Sequence, residues 1–181
     1  MLRRDLAGTG AAEKNRATMG TDSVSVKVEL HERTETFVLA TWRRILLLVW
    51  RGQANVEGIE RSGMLFASWS TRQTGGAVFL IVVPPGRTRP PDEATRAAMA
   101  RAASAPGDTL KGLATLIEAE GFIAASVRAV MMRLQSRGSR APTQHFFRTA
   151  AEVAAWAAPL LEDRQITGEK LAEVIRLARE G

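Results

Sequence analysis

Short apolar segments along the chain predict β-strands. Apolar residues alternate with polar ones over residues 24–30, which is the period of a half-buried strand and predicts a first edge strand. The segments 37–41 and 45–50, separated by a short turn, predict a β-hairpin. The second of them, ILLLVW, contains no polar residue, so we expect it to be buried on both faces. Three later segments predict the remaining strands: 77–83, 113–117 and 144–148.

Longer segments between these strands carry apolar residues at three- and four-residue spacing and predict helices. Asn55 is suited to cap a helix that ends near Ser70, and Thr167 is suited to cap the final helix. The pattern of that final helix predicts that four apolar residues face inward: Leu171, Val174, Ile175 and Ala178. The other helices are expected at 92–103, 122–135 and 150–161.

The alternation of strands and helices predicts an α/β fold. We expect a mixed central sheet of about four to five strands, with helices packed on it and the β-hairpin at its edge. With 181 residues, the chain is long enough for one domain that buries a substantial core. We expect that domain to span residues 24–165, with a disordered extension over residues 1–23 and a C-terminal amphipathic helix over residues 166–181.

The composition removes most routes to catalysis. The chain has no cysteine, which excludes disulfides, zinc–thiolate sites and cysteine nucleophiles. It has no tyrosine and only two histidines, His31 and His145, and we expect His31 to face solvent. The sequence contains no glycine-rich phosphate loop, no nucleophile elbow and no zinc-protease motif. We therefore expect a non-catalytic protein with no cofactor and no metal ion.

The charge distribution bears on partners and location. The formal net charge is +6, and residues 37–161 carry fifteen basic and eight acidic side chains. Such an excess could attract nucleic acid, but 21 of the 25 basic residues are arginine, which is typical of a GC-rich genome, so we favour a protein partner. The apolar runs are shorter than the ~20 residues of a membrane-spanning helix, and the N-terminal residues lack the apolar core of a signal peptide. We expect a cytoplasmic protein without membrane insertion, and a homodimer is compatible with the sequence.

The strongest candidate site is the strand-to-helix junction over residues 117–130. In open α/β sheets, ligands gather at the carboxyl ends of the strands. Glu118 and Glu120 are two residues apart, so they face the same side of an extended strand, where paired carboxylates could act as acid and base or hold a hard cation. Gly121 and Phe122 open the next predicted helix, whose backbone N–H groups could bind an anion. The alternative is a solvated strand end that caps this helix.

Arg133 and Arg137 form a second candidate surface. They lie four residues apart in the predicted helix over residues 122–135 or just beyond it, and at that spacing they share one face. The pair could contact an acidic surface of a partner protein. The alternative is a solvated helix face without a partner.

Four aromatic residues suggest a different function. Trp42, Trp50, Phe66 and Trp69 could line a pocket for a small apolar or lipid ligand. In that case the chain is a carrier or a sensor. The alternative is that these four rings fill the core.

Two local features, taken with the order of elements, carry a family resemblance. They are the junction Glu120-Gly121-Phe122 and the segment HFFRTAAEVAAWAAPL at residues 145–160. The chain resembles the STAS superfamily and its SpoIIAA-like domains, which are found in GC-rich bacteria. The resemblance implies a STAS-like fold and a protein-binding module of a bacterial regulatory complex, switched by phosphorylation of a serine or threonine in that loop.

The sequence departs from this family at the phosphorylation site. The Asp-Ser pair of the family is replaced by Glu120-Gly121, and the nearest hydroxyl, that of Ser126, lies inside the predicted helix. We therefore expect an interaction module without the usual phosphoswitch. The residues expected to contact a partner are Glu118, Glu120, Gly121, Phe122, Ser126, Arg133 and Arg137.

Overall fold

The central feature of the fold is a six-stranded mixed sheet whose strands lie side by side in chain order. The structure is a computed structural model that describes residues 26–85, 91–103, 108–118 and 144–180. The first three strands form an antiparallel meander, and the third to the sixth run parallel. The predicted α/β class with a mixed sheet is confirmed. The strands are β1 (Glu29–Arg33), β2 (Phe37–Trp42), β3 (Ile45–Trp50), β4 (Ala77–Val83), β5 (Leu110–Ile117) and β6 (Gln144–Phe147).

The sheet has six strands where four to five were expected, because all six segments predicted as strands join one sheet. The predicted first strand over residues 24–30 begins only at Glu29. A register shift between Leu30 and Glu32 interrupts its pairing with β2. Val26 and Val28, which gave rise to the alternating pattern, pack against the core without belonging to the strand.

The hairpin of β2 and β3 does not lie at the edge of the sheet as expected, because β1 pairs with the outer side of β2, and it is the most buried part of the sheet. Every residue of both strands is buried, which confirms that the second strand is covered on both faces. The pairing runs from Phe37 opposite Trp50 to Trp42 opposite Ile45, so Trp42 belongs to the strand and not to the turn. A two-residue turn closes the hairpin, and Arg43 adopts a left-handed backbone there, with φ 55.

Helices cover both faces of the sheet. On one face lie α1 (Val56–Ser70) and α2 (Glu93–Ala103), and on the other lie α3 (Ala150–Leu160) and α4 (Gly168–Glu180). Asn55 caps α1 as predicted, because its side chain accepts a hydrogen bond of 2.9 Å from the backbone N–H of Gly58. The helix predicted over residues 122–135 lies outside the described residues.

The C-terminal helix α4 belongs to the hydrophobic core. The four residues predicted to face inward are all buried: Leu171, Val174, Ile175 and Ala178. They pack in one cluster with α3 and with β2, β3, β4 and β5. Burial of this apolar stripe against the sheet holds the end of α4 near the ends of the strands.

Candidate functional site

The carboxyl ends of the parallel strands lie side by side along one side of the sheet, across the strand direction. These ends are Trp50, Val83, Ile117 and Phe147. Because β2 runs antiparallel to β3 and pairs Phe37 with Trp50, the turn over residues 34–36 lies at this edge as well. We call this region the carboxyl edge. Binding sites of open α/β sheets occur at such an edge, since the loops there are supported by the strands.

Glu118 directly follows β5 at the carboxyl edge. Its backbone N–H donates a hydrogen bond of 3.1 Å to the carbonyl of Val83, which ties it to the end of β4. Its carboxylate forms an ion pair with the guanidinium of Arg179 in the last turn of α4. The Glu118 side chain is 26% exposed and that of Arg179 is 34% exposed. The carboxylate is therefore held in one place and still reaches solvent.

The last turn of α4 is fixed at this edge by a second arginine. Arg33 of β1 donates to the carbonyls of Glu180, at 3.0 Å, and Arg179, at 3.2 Å. These carbonyls have no partner within the helix, so the guanidinium satisfies them. Arg176 pairs with Glu173 and Glu180, and hydrogen bonds from Arg176 lower the pKa of Glu173. The turn that carries Arg179 is thus held by Arg33 of β1 and by Glu118 at the end of β5.

The β1–β2 turn is stiffened by a threonine and asparagine network that the sequence analysis did not identify. The Thr34 hydroxyl accepts hydrogen bonds from the backbone N–H groups of Phe37, at 3.0 Å, and Thr36, at 3.2 Å. The amide of Asn55 donates to the Thr36 hydroxyl at 3.0 Å. The signal for it is the Thr-x-Thr spacing between two strands, which favours side-chain bonding to the local backbone.

Most of the residues predicted to contact a partner lie outside the described residues. They are Glu120, Gly121, Phe122, Ser126, Arg133 and Arg137. Glu118 is the one member of the predicted set that the structure describes, and it stands at the expected end of its strand.

The four aromatic residues suggested for ligand binding do not lie together. Trp42 belongs to the core cluster under α3 and α4, whereas Trp50, Phe66 and Trp69 lie on the opposite face of the sheet. All four side chains are buried. A Cβ atom at Gly58 would lie only 2.6 Å from Cη2 of Trp50, so the indole packs directly on the backbone of α1. These contacts are those of core residues.

The two histidines lie on the opposite edge strands, so they cannot act on one substrate group. His31 is half-buried and not fully solvated as expected, because its Nε2 lies 2.7 Å from the Thr41 hydroxyl. His145 is exposed on β6 beside the indole of Trp156, with ring centroids 5.1 Å apart. Among the described residues, no group of three or more His, Cys, Asp and Glu side chains could hold a metal ion.

No family model, curated protein or solved structure matches the chain. The fold therefore defines the class, an α/β protein with a mixed six-stranded sheet, and the geometry of the carboxyl edge carries the functional argument. Within the described part of the chain, none of the helices has the length and apolar character needed to cross a membrane.

Proposed function

We propose that the chain is a non-catalytic STAS-like interaction module of a bacterial regulatory complex, and that it binds a protein partner at the carboxyl edge. The observation that carries the proposal is the placement of Glu118, whose backbone is bonded to the end of β4 and whose carboxylate pairs with Arg179 and still reaches solvent. A carboxylate in this position suits a lysine or arginine of the partner, since such charge-assisted hydrogen bonds are the strong ones.

The order of elements supports the STAS-like part of the proposal. The hairpin of β2 and β3 is followed by α1, β4, α2 and β5, and then by β6, α3 and the C-terminal α4. These are the described members of the succession on which the resemblance to the STAS superfamily rests, and its helix over residues 122–135 lies outside the described residues. The four parallel strands pair in chain order, β3 with β4, β4 with β5 and β5 with β6, so the carboxyl edge presents their ends as one row.

The module works without a phosphoserine in this proposal. Glu120 and Gly121 stand where the family carries its Asp-Ser pair, and Glu118 supplies a negative charge at the end of β5 in all states. Binding is then governed by a permanent carboxylate and by access to it, and not by the charge of about −2 that a phosphate adds.

Native mass spectrometry of the full chain, purified gently from the cells that make it naturally, tests the proposal. The comparison needs the wild type, Glu118→Lys and the control Asp163→Lys. Asp163 also pairs with an arginine, Arg43. It lies by the β2–β3 turn, at the opposite ends of the strands from the carboxyl edge. Circular dichroism of each variant checks that a loss of binding is not a loss of the fold.

We expect a co-purifying protein mass with the wild type and with Asp163→Lys, and its loss with Glu118→Lys. Equal retention by both variants contradicts the assignment of the carboxyl edge. A small-molecule adduct that is lost on denaturation, in place of a protein mass, would favour the carrier or sensor alternative with a small apolar or lipid ligand.

A further inference from the structure

The two outermost strands of the sheet, β1 and β6, differ in how they are protected from pairing with another chain. On β1 the edge carries the charged residues Glu29, Glu32 and Arg33, and its pairing is interrupted by a register shift. Charges and bulges of this kind prevent edge strands from pairing. By contrast, β6 pairs with β5 without a register shift and contains no Asp, Glu, Lys or Arg. No other described strand pairs with its outer edge.

An aromatic patch lies beside β6. His145 is exposed, and Phe146 and Phe147 are half-buried. Trp156 of α3 contacts both His145 and Phe147, with ring centroids 5.1 Å and 5.5 Å away. In the next turn of α3, Leu160 is 37% exposed, which makes it one of three large apolar side chains exposed in the described part of the chain.

We propose that β6 is a homodimer interface, in which the β6 strands of two copies pair antiparallel about a two-fold axis at Phe146. In this register His145 lies opposite Phe147 of the second copy, and Gln144 lies opposite Arg148. His145 and Phe147 are two residues apart and both contact Trp156, so they point to the same face, as opposed residues in a sheet must.

The residues themselves select a second copy as the partner. The register about Phe146 uses the whole strand, opposes aromatic rings to one another and opposes no like charges. Aromatic pairs across antiparallel strands stabilise a sheet. On β1, same-face pairing about the register shift would oppose Glu29 to Glu32 of the other copy, and this repulsion disfavours that edge. The inference does not rest on the proposed function, because β6 pairs through its outer edge and not through Glu118.

A single engineered cysteine tests the register, since the natural chain has none. In Phe146→Cys the two cysteines lie opposite each other, with Cα atoms about 4.5–5.5 Å apart. This separation lies within the range of about 4.4–6.8 Å that a disulfide requires. In the control His145→Cys the two cysteines are diagonal neighbours about 7–8 Å apart, which is too far for ready bridging. Glu29→Cys provides the control on the other edge.

We expect mild oxidation to convert Phe146→Cys to a covalent dimer on a non-reducing gel, with far less product from His145→Cys and Glu29→Cys. Sedimentation equilibrium of the wild-type chain should show a dimer that forms as concentration rises. A wild type that stays monomeric overturns the proposal, and so does a dimer in which Phe146→Cys is not the preferred crosslink. The wild-type measurement decides the matter if Phe146→Cys does not fold. A monomer whose β6 amides resist hydrogen exchange would show that the chain covers this edge itself.

Discussion

The Glu118 carboxylate at the end of β5 and the Arg179 guanidinium in the last turn of α4 form an ion pair between residues 61 positions apart. The same turn accepts hydrogen bonds from Arg33 of β1. The end of α4 therefore connects the edge strand β1 with β5, which lies four strands away in the sheet, next to the other edge strand. This connection determines where the Glu118 carboxylate lies and what must move for a partner to replace Arg179.

Removal of the Glu118–Arg179 pair should cost little stability. Both side chains are partly exposed, and exposed ion pairs contribute about 0.2–1 kcal/mol. A double-mutant cycle with Glu118→Gln and Arg179→Gln, followed by urea unfolding, should give a coupling energy in this range. Glu173→Gln, which removes a pair inside α4, serves as the control and should show no coupling to Glu118. A coupling energy of zero between Glu118 and Arg179 would mean that the pair does not hold the site.

Two glycines of α1 should respond to alanine in opposite directions. A Cβ at Gly58 would lie 2.6 Å from the Trp50 ring and 3.0 Å from Phe37, so Gly58→Ala should destabilise the fold by about 1–3 kcal/mol. A Cβ at Gly63 meets nothing within 4 Å, so Gly63→Ala should stabilise it by about 0.5–1 kcal/mol through helix propensity. Thermal or urea unfolding measures both. Stabilisation by both variants would show that Trp50 yields readily, which the packing does not favour.

The Asn55 side chain has two separable roles at the carboxyl edge. Its oxygen caps α1 at Gly58, and its amide nitrogen donates to Thr36. Asn55→Ala removes both contacts and should cost about 1–2 kcal/mol in the free energy of unfolding. Asn55→Asp keeps the capping oxygen and removes only the donor, so it should retain most of the stability. An equal loss in both variants would show that the bond to Thr36, and not the cap, is the important contact.

The local features of this fold could be predicted from the sequence, because short-range patterns determine them. The Asn55 cap and the buried stripe of α4 depend on residues within a few positions of one another. The division of Trp42 and Trp50 between the two faces could also have been found. Ile45 lies opposite Trp42 across the hairpin, so the two side chains share a face. Trp50 follows Ile45 by five positions, an odd number, which places its side chain on the other face.

The contacts that shape the candidate site could not be predicted, because they depend on how separate elements pack. Arg33 reaches the end of α4 only when the helix is packed on the sheet. The same packing brings Arg179 to Glu118. No local pattern indicates which of the arginines will find these partners. The register shift in β1 is another such feature, since it depends on pairing with β2 and leaves the alternating valines outside the strand.

The stability of the fold should depend on pH through Asp163. Burial acts to raise the pKa of its carboxyl, but hydrogen bonds from Arg43 and the backbone of Gln165, together with the charges of Arg43 and Arg44, outweigh burial and lower this pKa below its ordinary value of 3.8. Folding therefore favours the ionised form. The resulting stabilisation is fully present above the ordinary pKa and is lost as pH falls through the lower pKa of the folded state.

Urea unfolding of the wild type and Asp163→Asn across a pH series measures this effect. We expect the wild type to be more stable by about 1 kcal/mol near neutral pH, because the variant loses a charge-assisted hydrogen bond to Arg43. The difference should shrink as pH falls below the ordinary pKa of the carboxyl and disappear once Asp163 is protonated in the folded state. A difference that stays constant through that range would assign the effect to the shape of the side chain and not to its charge.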